Sequence, residues 1–79
     1  MLTEYIAAAL RHAHYELMED GDFGAEVSDL PGVWASAATL EACREELREV
    51  VEEWLLLGLR HGDDIPILDG ISLAVRQAS

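Results

Sequence analysis

The sequence predicts a two-layer α+β protein, in which a three-stranded antiparallel meander packs on one long helix. Residues 14–37 alternate apolar and polar side chains between turn residues, as strands do. Residues 40–61 repeat apolar side chains every three to four positions, as a helix does. The 79 residues leave room for a single domain. We expect an N-terminal helix before the meander and a short extended segment after the long helix.

The first element is predicted to be a helix over residues 2–13, because apolar side chains recur at helical spacing from Leu2 onwards. Thr3 is placed as its N-cap, since a threonine hydroxyl can accept a hydrogen bond from the first turn. This helix is treated as an addition to a core at residues 14–70, and residues 71–79 are treated as a tail.

A hairpin and a third strand follow. Residues 14–18 and 23–28 alternate around an Asp-Gly turn at 19–22, which favours a tight reversal. The Pro-Gly pair that follows ends the second strand, because proline lacks a ladder donor. The third strand is predicted at 33–37, with Trp34 on the face opposite its first residue.

The long helix has recognisable start and stop signals. Thr39 is predicted as its N-cap, and Gly62 follows its last turn. One apolar stripe faces the core, and it consists of Leu40, Cys43, Leu47, Val50, Val51, Trp54 and Leu55. Glutamates fill most of the remaining surface, which is typical of a solvated face. Residues 65–71 are predicted to be extended and at an edge, because they contain Pro66.

The net charge of the chain limits the kinds of molecule that it is expected to bind. Sixteen acidic residues against five arginines and no lysine give a net charge of −11. That field repels phosphate backbones and anionic membranes, so we expect neither direct nucleic-acid binding nor membrane association. It favours a basic protein partner. Without a basic leader or an apolar run long enough to span a bilayer, the chain is expected to be cytoplasmic.

Few residues form a pattern that indicates a catalytic or metal-binding site. His12 and His14 form an H-x-H pair, but further ligands at zinc spacing are absent, so no metal site and no cofactor is predicted. Cys43 falls on the apolar stripe, where a thiol is expected to be buried and unreactive. Glu16 and Glu26, placed as neighbours across the hairpin, are the one carboxylate pair considered for hydrolysis.

Apolar side chains at the end of the long helix predict self-association. Residues 54–59 are apolar on all sides, and a small domain without disulfides is marginally stable alone. A homo-oligomer, either a dimer or a tetramer, is therefore expected. The residues assigned to this contact are Trp54, Leu55, Leu56 and Leu59.

Four motifs occur in a fixed order along the chain. They are DLPGVWA at 29–35, TLEAC at 39–43, LGL at 57–59 and DIP at 64–66. With these motifs, residues 14–66 resemble the HicB-like antitoxin family, whose members show a DLPG turn, a short strand, a TLEEA-type helix start and a helix that ends near an Ile-Pro pair. The combination of the four motifs at this spacing carries the resemblance, rather than any one motif.

The resemblance implies a fold similar to a degenerate RNase H or double-stranded-RNA-binding domain. It also implies a non-enzymatic antitoxin that binds and neutralises a small basic, mRNA-cleaving toxin of the HicA type. Full-length members often add a C-terminal DNA-binding module, for which too few residues follow Pro66, so none is expected. The residues assigned to toxin contact are Glu26, Asp29, Leu30, Pro31 and Trp34.

Two other functions stay open. One is an orphan oligomeric scaffold of the same family that has no toxin. The other is a small metal-dependent nuclease or hydrolase that uses Glu16 and Glu26 together with His14.

Overall fold

The computed structural model describes residues 2–73, which form two helices and one three-stranded antiparallel sheet. Along the chain the elements are α1 (Leu2–Arg11), β1 (His14–Leu17), β2 (Phe23–Glu26), β3 (Trp34–Ala37) and α2 (Leu40–His61). The predicted α+β class and order of elements are confirmed. The extended segment after α2 is reduced to an isolated bridge between Leu68 and Ile71. Most of the expected tail, from residue 74 on, lies outside the described residues.

Helix α2 begins and ends at the predicted caps. The Thr39 hydroxyl accepts a hydrogen bond from the amide of Ala42 at 3.1 Å. Gly62 has a φ of 75°, which glycine adopts without strain, and its amide donates to the Leu59 carbonyl. The cap assigned to Thr3 is wrong, because α1 already begins one residue earlier and includes it.

Helix α2 packs on β2 and β3, and α1 packs beside α2. Their buried side chains form one core, in which the largest fully buried members are Tyr5, Leu30, Leu47, Leu55, Leu68, Val27, Val51 and Cys43. Since Tyr5 and four further residues of α1 are buried, α1 is an integral part of this core. The thiol of Cys43 donates to the Phe23 carbonyl at 3.4 Å, and burial raises the pKa of that thiol, as expected for an unreactive cysteine.

The second strand ends two residues earlier than predicted, because the chain between β2 and β3 folds into two consecutive turns. The Leu30 amide donates to the Val27 carbonyl at 2.9 Å, and the Val33 amide donates to the Leu30 carbonyl at 3.1 Å. These bonds turn the Leu30 side chain inward, where it is fully buried. The buried side chain of Leu30, the second residue of the 29–32 turn, therefore anchors this turn to the core.

Neither helix among the described residues is both long enough and apolar enough to cross a membrane.

Candidate functional site

The face of the sheet that points away from the helices carries a row of three exposed side chains. In the strand register His14 lies opposite Glu26, and Glu26 lies opposite Trp34. Trp34 keeps 53% of its surface exposed, although it belongs to a short strand. An aromatic ring, a carboxylate and an imidazole thus lie side by side across all three strands.

Glu16 does not lie where the sequence placed it. It is opposite Gly24 and not Glu26, so the two carboxylates are two positions apart in register. Both side chains are exposed on the same face as His14. Within residues 2–73, no group of three or more His, Cys, Asp or Glu side chains is placed to hold a metal ion.

A shallow depression lies on this face of the sheet, between the row and the side chain of Met18. Met18 folds over Gly24, where an added Cβ would lie only 3.1 Å from the Met18 sulfur. The depression has a volume of about 60 Å³ and reaches from Glu16 to Trp34. Pockets for small-molecule substrates have roughly 300 Å³ or more. The depression on the outer face is therefore several times smaller than such a pocket.

The 29–32 turn adjoins Trp34 and is fixed from two sides. Leu30 anchors it in the core, and the Trp54 ring nitrogen donates to the Pro31 carbonyl at 3.1 Å. Asp29 and Pro31 are left exposed at its tip. Leu30 was assigned to partner contact, and this is corrected, because its fully buried side chain cannot reach a partner.

His12 is bound between two aspartates, which the sequence did not indicate. Its Nε2 lies 2.8 Å from Oδ1 of Asp69, and its Nδ1 lies 3.5 Å from Oδ2 of Asp29. Arg11 donates to the other oxygen of Asp69 at 3.0 Å. The hydrogen bond with Asp69 raises the pKa of His12, and the same bond lowers the pKa of Asp69. The 29–32 turn, the end of α1 and the segment after α2 meet here.

The end of α2 is apolar and only partly covered. Leu56 is 55% exposed and Leu57, which was not assigned to self-association, is 49% exposed. Trp54 and Leu59 are half-buried. Leu55 is fully buried, so its assignment to a contact with another copy is corrected. The four-residue spacing of Leu55 from the buried Val51 was a signal of this inward position.

The fold and this surface define a class of small α+β domain that presents an open sheet face beside a fixed turn, with acidic and aromatic side chains on it. The chain belongs to the UPF0150-like family, whose model matches residues 4–66. That match includes nearly all of α1, as well as the segment that carries the four motifs.

A protein of known structure has the same architecture. The crystal structure of TTHA0281 from Thermus thermophilus superposes with a TM-score of 0.89 at 36% sequence identity, over 96% of this chain and 95% of that chain. Comparison with the curated proteins gave no match.

Proposed function

We propose that the chain is a non-enzymatic binding domain of the HicB antitoxin type, which neutralises a small basic, mRNA-cleaving protein by covering its RNA-binding surface. The observation that carries this proposal is the half-exposed Trp34 between Glu26 and the fixed 29–32 turn. Membership of the UPF0150-like family, whose members are small and HicB-like, supports it.

The residue types on the outer face suit a protein interface. Tryptophan is enriched among the residues that dominate binding energy, and such residues lie near the centre of a contact. Trp34 has Glu26 beside it in the register, and Glu16 is exposed on the same face. Carboxylates around an aromatic centre attract a basic partner and speed its approach.

The turn lowers the cost of binding. A loop that must become ordered on contact loses conformational entropy, which weakens the complex. Here Asp29 and Pro31 are already held in place by the buried Leu30 and by the hydrogen bond from Trp54. Both exposed side chains are thus presented without further ordering.

Inhibition would be steric and electrostatic. A protein that cleaves mRNA must bind the phosphate backbone with basic side chains. An acidic chain of net charge −11 competes for those side chains, so RNA and this domain exclude each other. No catalytic residue is needed for this activity.

The test is co-expression with a HicA-type toxin from the same genome, followed by calorimetry on the purified pair. The chain is expected to restore growth, and Trp34→Ala is expected to weaken binding by about 2 kcal/mol, or roughly 30-fold in Kd. Leu17→Ala is the matched control, because Leu17 is also an exposed apolar residue of the sheet but lies outside the row. Equal affinity of the two variants would exclude Trp34 as the anchor, and failure to bind any such toxin would favour the orphan scaffold.

The hydrolase alternative has one supporting observation, the position of His14 directly opposite Glu26. Both side chains and Glu16 are exposed to solvent, whereas acid–base pairs act best in a partly desolvated site. Nuclease activity that disappears in Glu16→Gln or Glu26→Gln but persists in Glu19→Gln would establish it.

A further inference from the structure

The last turns of α2 combine exposed leucines with charges of both signs. Leu56 and Leu57 are about half exposed, and they lie in a groove that also includes Glu53 and Arg60. Leu40 at the start of α2 is also half exposed, but between residues 41 and 55 glutamates fill most of the exposed side and no large apolar side chain is exposed. The exposed leucines and Arg60, in the last turn of α2, therefore lie in the same surface patch.

The spacing of these four residues is symmetric. The midpoint of α2 between Leu56 and Leu57 is also the midpoint between Glu53 and Arg60. With a rise of about 1.5 Å per residue, the glutamate lies ~5 Å on one side of that point and the arginine ~5 Å on the other. All four side chains are on the exposed side of the helix. An antiparallel copy of the same helix would match this pattern end to end.

We propose that two copies of the chain associate through this patch, with their α2 helices antiparallel about a two-fold axis between Leu56 and Leu57. In this register Leu56 packs on the partner's Leu57, and Glu53 pairs with the partner's Arg60. The two-fold symmetry repeats each contact, so two leucine pairs are enclosed by two ion pairs. Isologous dimers of this kind are the commonest assemblies of soluble proteins.

Charge and apolar exposure together favour this register over one centred near Arg48. A two-fold axis near Arg48 would also bring opposite charges together, but Arg48 is already bound to Glu45 of its own chain at 3.1 Å. No exposed apolar side chain accompanies it there. Arg60, in contrast, forms no ion pair within residues 2–73. A chain of net charge −11 repels its own copies, so association is expected only where a free cation meets a carboxylate.

The contact leaves the candidate binding face free. Leu56 and Glu53 lie on the side of α2 that faces solvent, whereas Trp34 lies on the far side of the sheet. A dimer would thus present two outer faces pointing in different directions. The inference does not depend on the proposed function, because it rests on the surface of α2 alone.

The test is sedimentation velocity of the full chain over a concentration series from about 10 μM to 1 mM, since a contact of about two helical turns lies at the small end of specific interfaces. The wild type is expected to change from monomer to dimer within this range. Glu53→Arg alone and Arg60→Glu alone each place like charges opposite each other, and each is expected to weaken the dimer about tenfold or more.

Mixing the two single variants is the decisive step. One copy then carries Arg at both positions and the other carries Glu at both, so both ion pairs form again and a heterodimer of wild-type affinity is expected.

Controls with the same change in net charge are Glu19→Arg in the hairpin and Arg44→Glu at the other end of α2, and both are expected to dimerise like the wild type. A wild type that stays monomeric, an effect of the controls equal to that of the patch variants, or a mixture that stays monomeric would each overturn the proposal. Circular dichroism of each variant checks that the exposed substitutions leave the fold intact.

Discussion

His12 and Asp69, which are 57 residues apart in the sequence, lie 2.8 Å apart from ring nitrogen to carboxylate oxygen. Their hydrogen bond joins the end of α1 to the segment that follows α2. Because His12 also approaches Asp29 at 3.5 Å, the same imidazole reaches the 29–32 turn beside the candidate binding face.

The contact between His12 and Asp69 predicts a window of pH for its contribution to stability. Since the folded pKa of His12 is raised above 6.5, its contribution is complete below that pH and is lost as the pH rises through the raised value. Since the folded pKa of Asp69 is lowered below 3.8, its contribution is present above that pH and is lost as the pH falls through the lowered value. The difference in Tm between the wild type and His12→Gln is therefore expected to be largest between pH 3.8 and pH 6.5.

Thermal unfolding monitored by circular dichroism from acid to weakly alkaline pH measures this difference. Arg11→Gln is the control, because it removes a second partner of Asp69 and leaves the imidazole of His12 in place. The difference in Tm that Arg11→Gln causes is expected to decrease only at acidic pH, where Asp69 becomes protonated. A His12→Gln effect that does not change with pH would contradict the assigned role.

The caps of the two helices give a paired prediction. Thr39→Ala removes the hydroxyl that accepts from the Ala42 amide and is expected to cost about 1 kcal/mol of unfolding free energy. Thr3→Ala, at an exposed position within α1, is expected to be neutral or slightly stabilising, since alanine is the better helix former. Urea unfolding of both variants measures the difference, and a loss at Thr3 as large as that at Thr39 would restore the N-cap first assigned to Thr3.

The two tyrosines differ in what their hydroxyl groups contact. The hydroxyl of the buried Tyr5 donates to the Pro66 carbonyl, so Tyr5→Phe is expected to cost about 1–2 kcal/mol. The Tyr15 hydroxyl is buried without a hydrogen-bond partner among residues 2–73, so Tyr15→Phe is expected to be neutral or stabilising. Denaturant titration of the two variants provides the comparison, and equal losses would mean that the Tyr5 contact contributes nothing specific.

Leu30 is expected to act through stability rather than through contact. Leu30→Ala leaves a cavity in the core and should cost about 2–5 kcal/mol, whereas Trp34→Ala removes a half-exposed side chain and should cost much less. Unfolding curves and partner affinity measured on the same samples separate the two effects. A Leu30→Ala variant of normal stability and reduced affinity would return Leu30 to the binding face.

The parts of the fold that the sequence predicted are those determined by neighbouring residues. The strands follow from alternation, and the ends of α2 follow from Thr39 and Gly62, whose side-chain and backbone chemistry acts within one turn. Alternation also predicted Trp34 on the face opposite Val33, which the burial of Val33 and the exposure of Trp34 confirm. Its role in binding stays a prediction.

What the sequence did not show depends on contacts between distant residues. The inward turn of Leu30 arises from hydrogen bonds of the 29–32 turn, and alternation alone does not reveal them. The register of the hairpin separated Glu16 from Glu26, because pairing is set by the length of the turn. His12 and Asp69 carry no local signal of their contact. Leu55 is different, since its spacing from Val51 already placed it in the core.

The contact of Tyr5 with Pro66 has a consequence for the order of folding. Helix α1 is synthesised before the other described elements, yet the Tyr5 hydroxyl meets its acceptor, the Pro66 carbonyl, only after residue 66 has left the ribosome. Closing a loop of this length costs entropy that shorter contacts in the hairpin avoid. The hairpin and α2 are therefore expected to associate early, and α1, although it is synthesised before them, is expected to dock last.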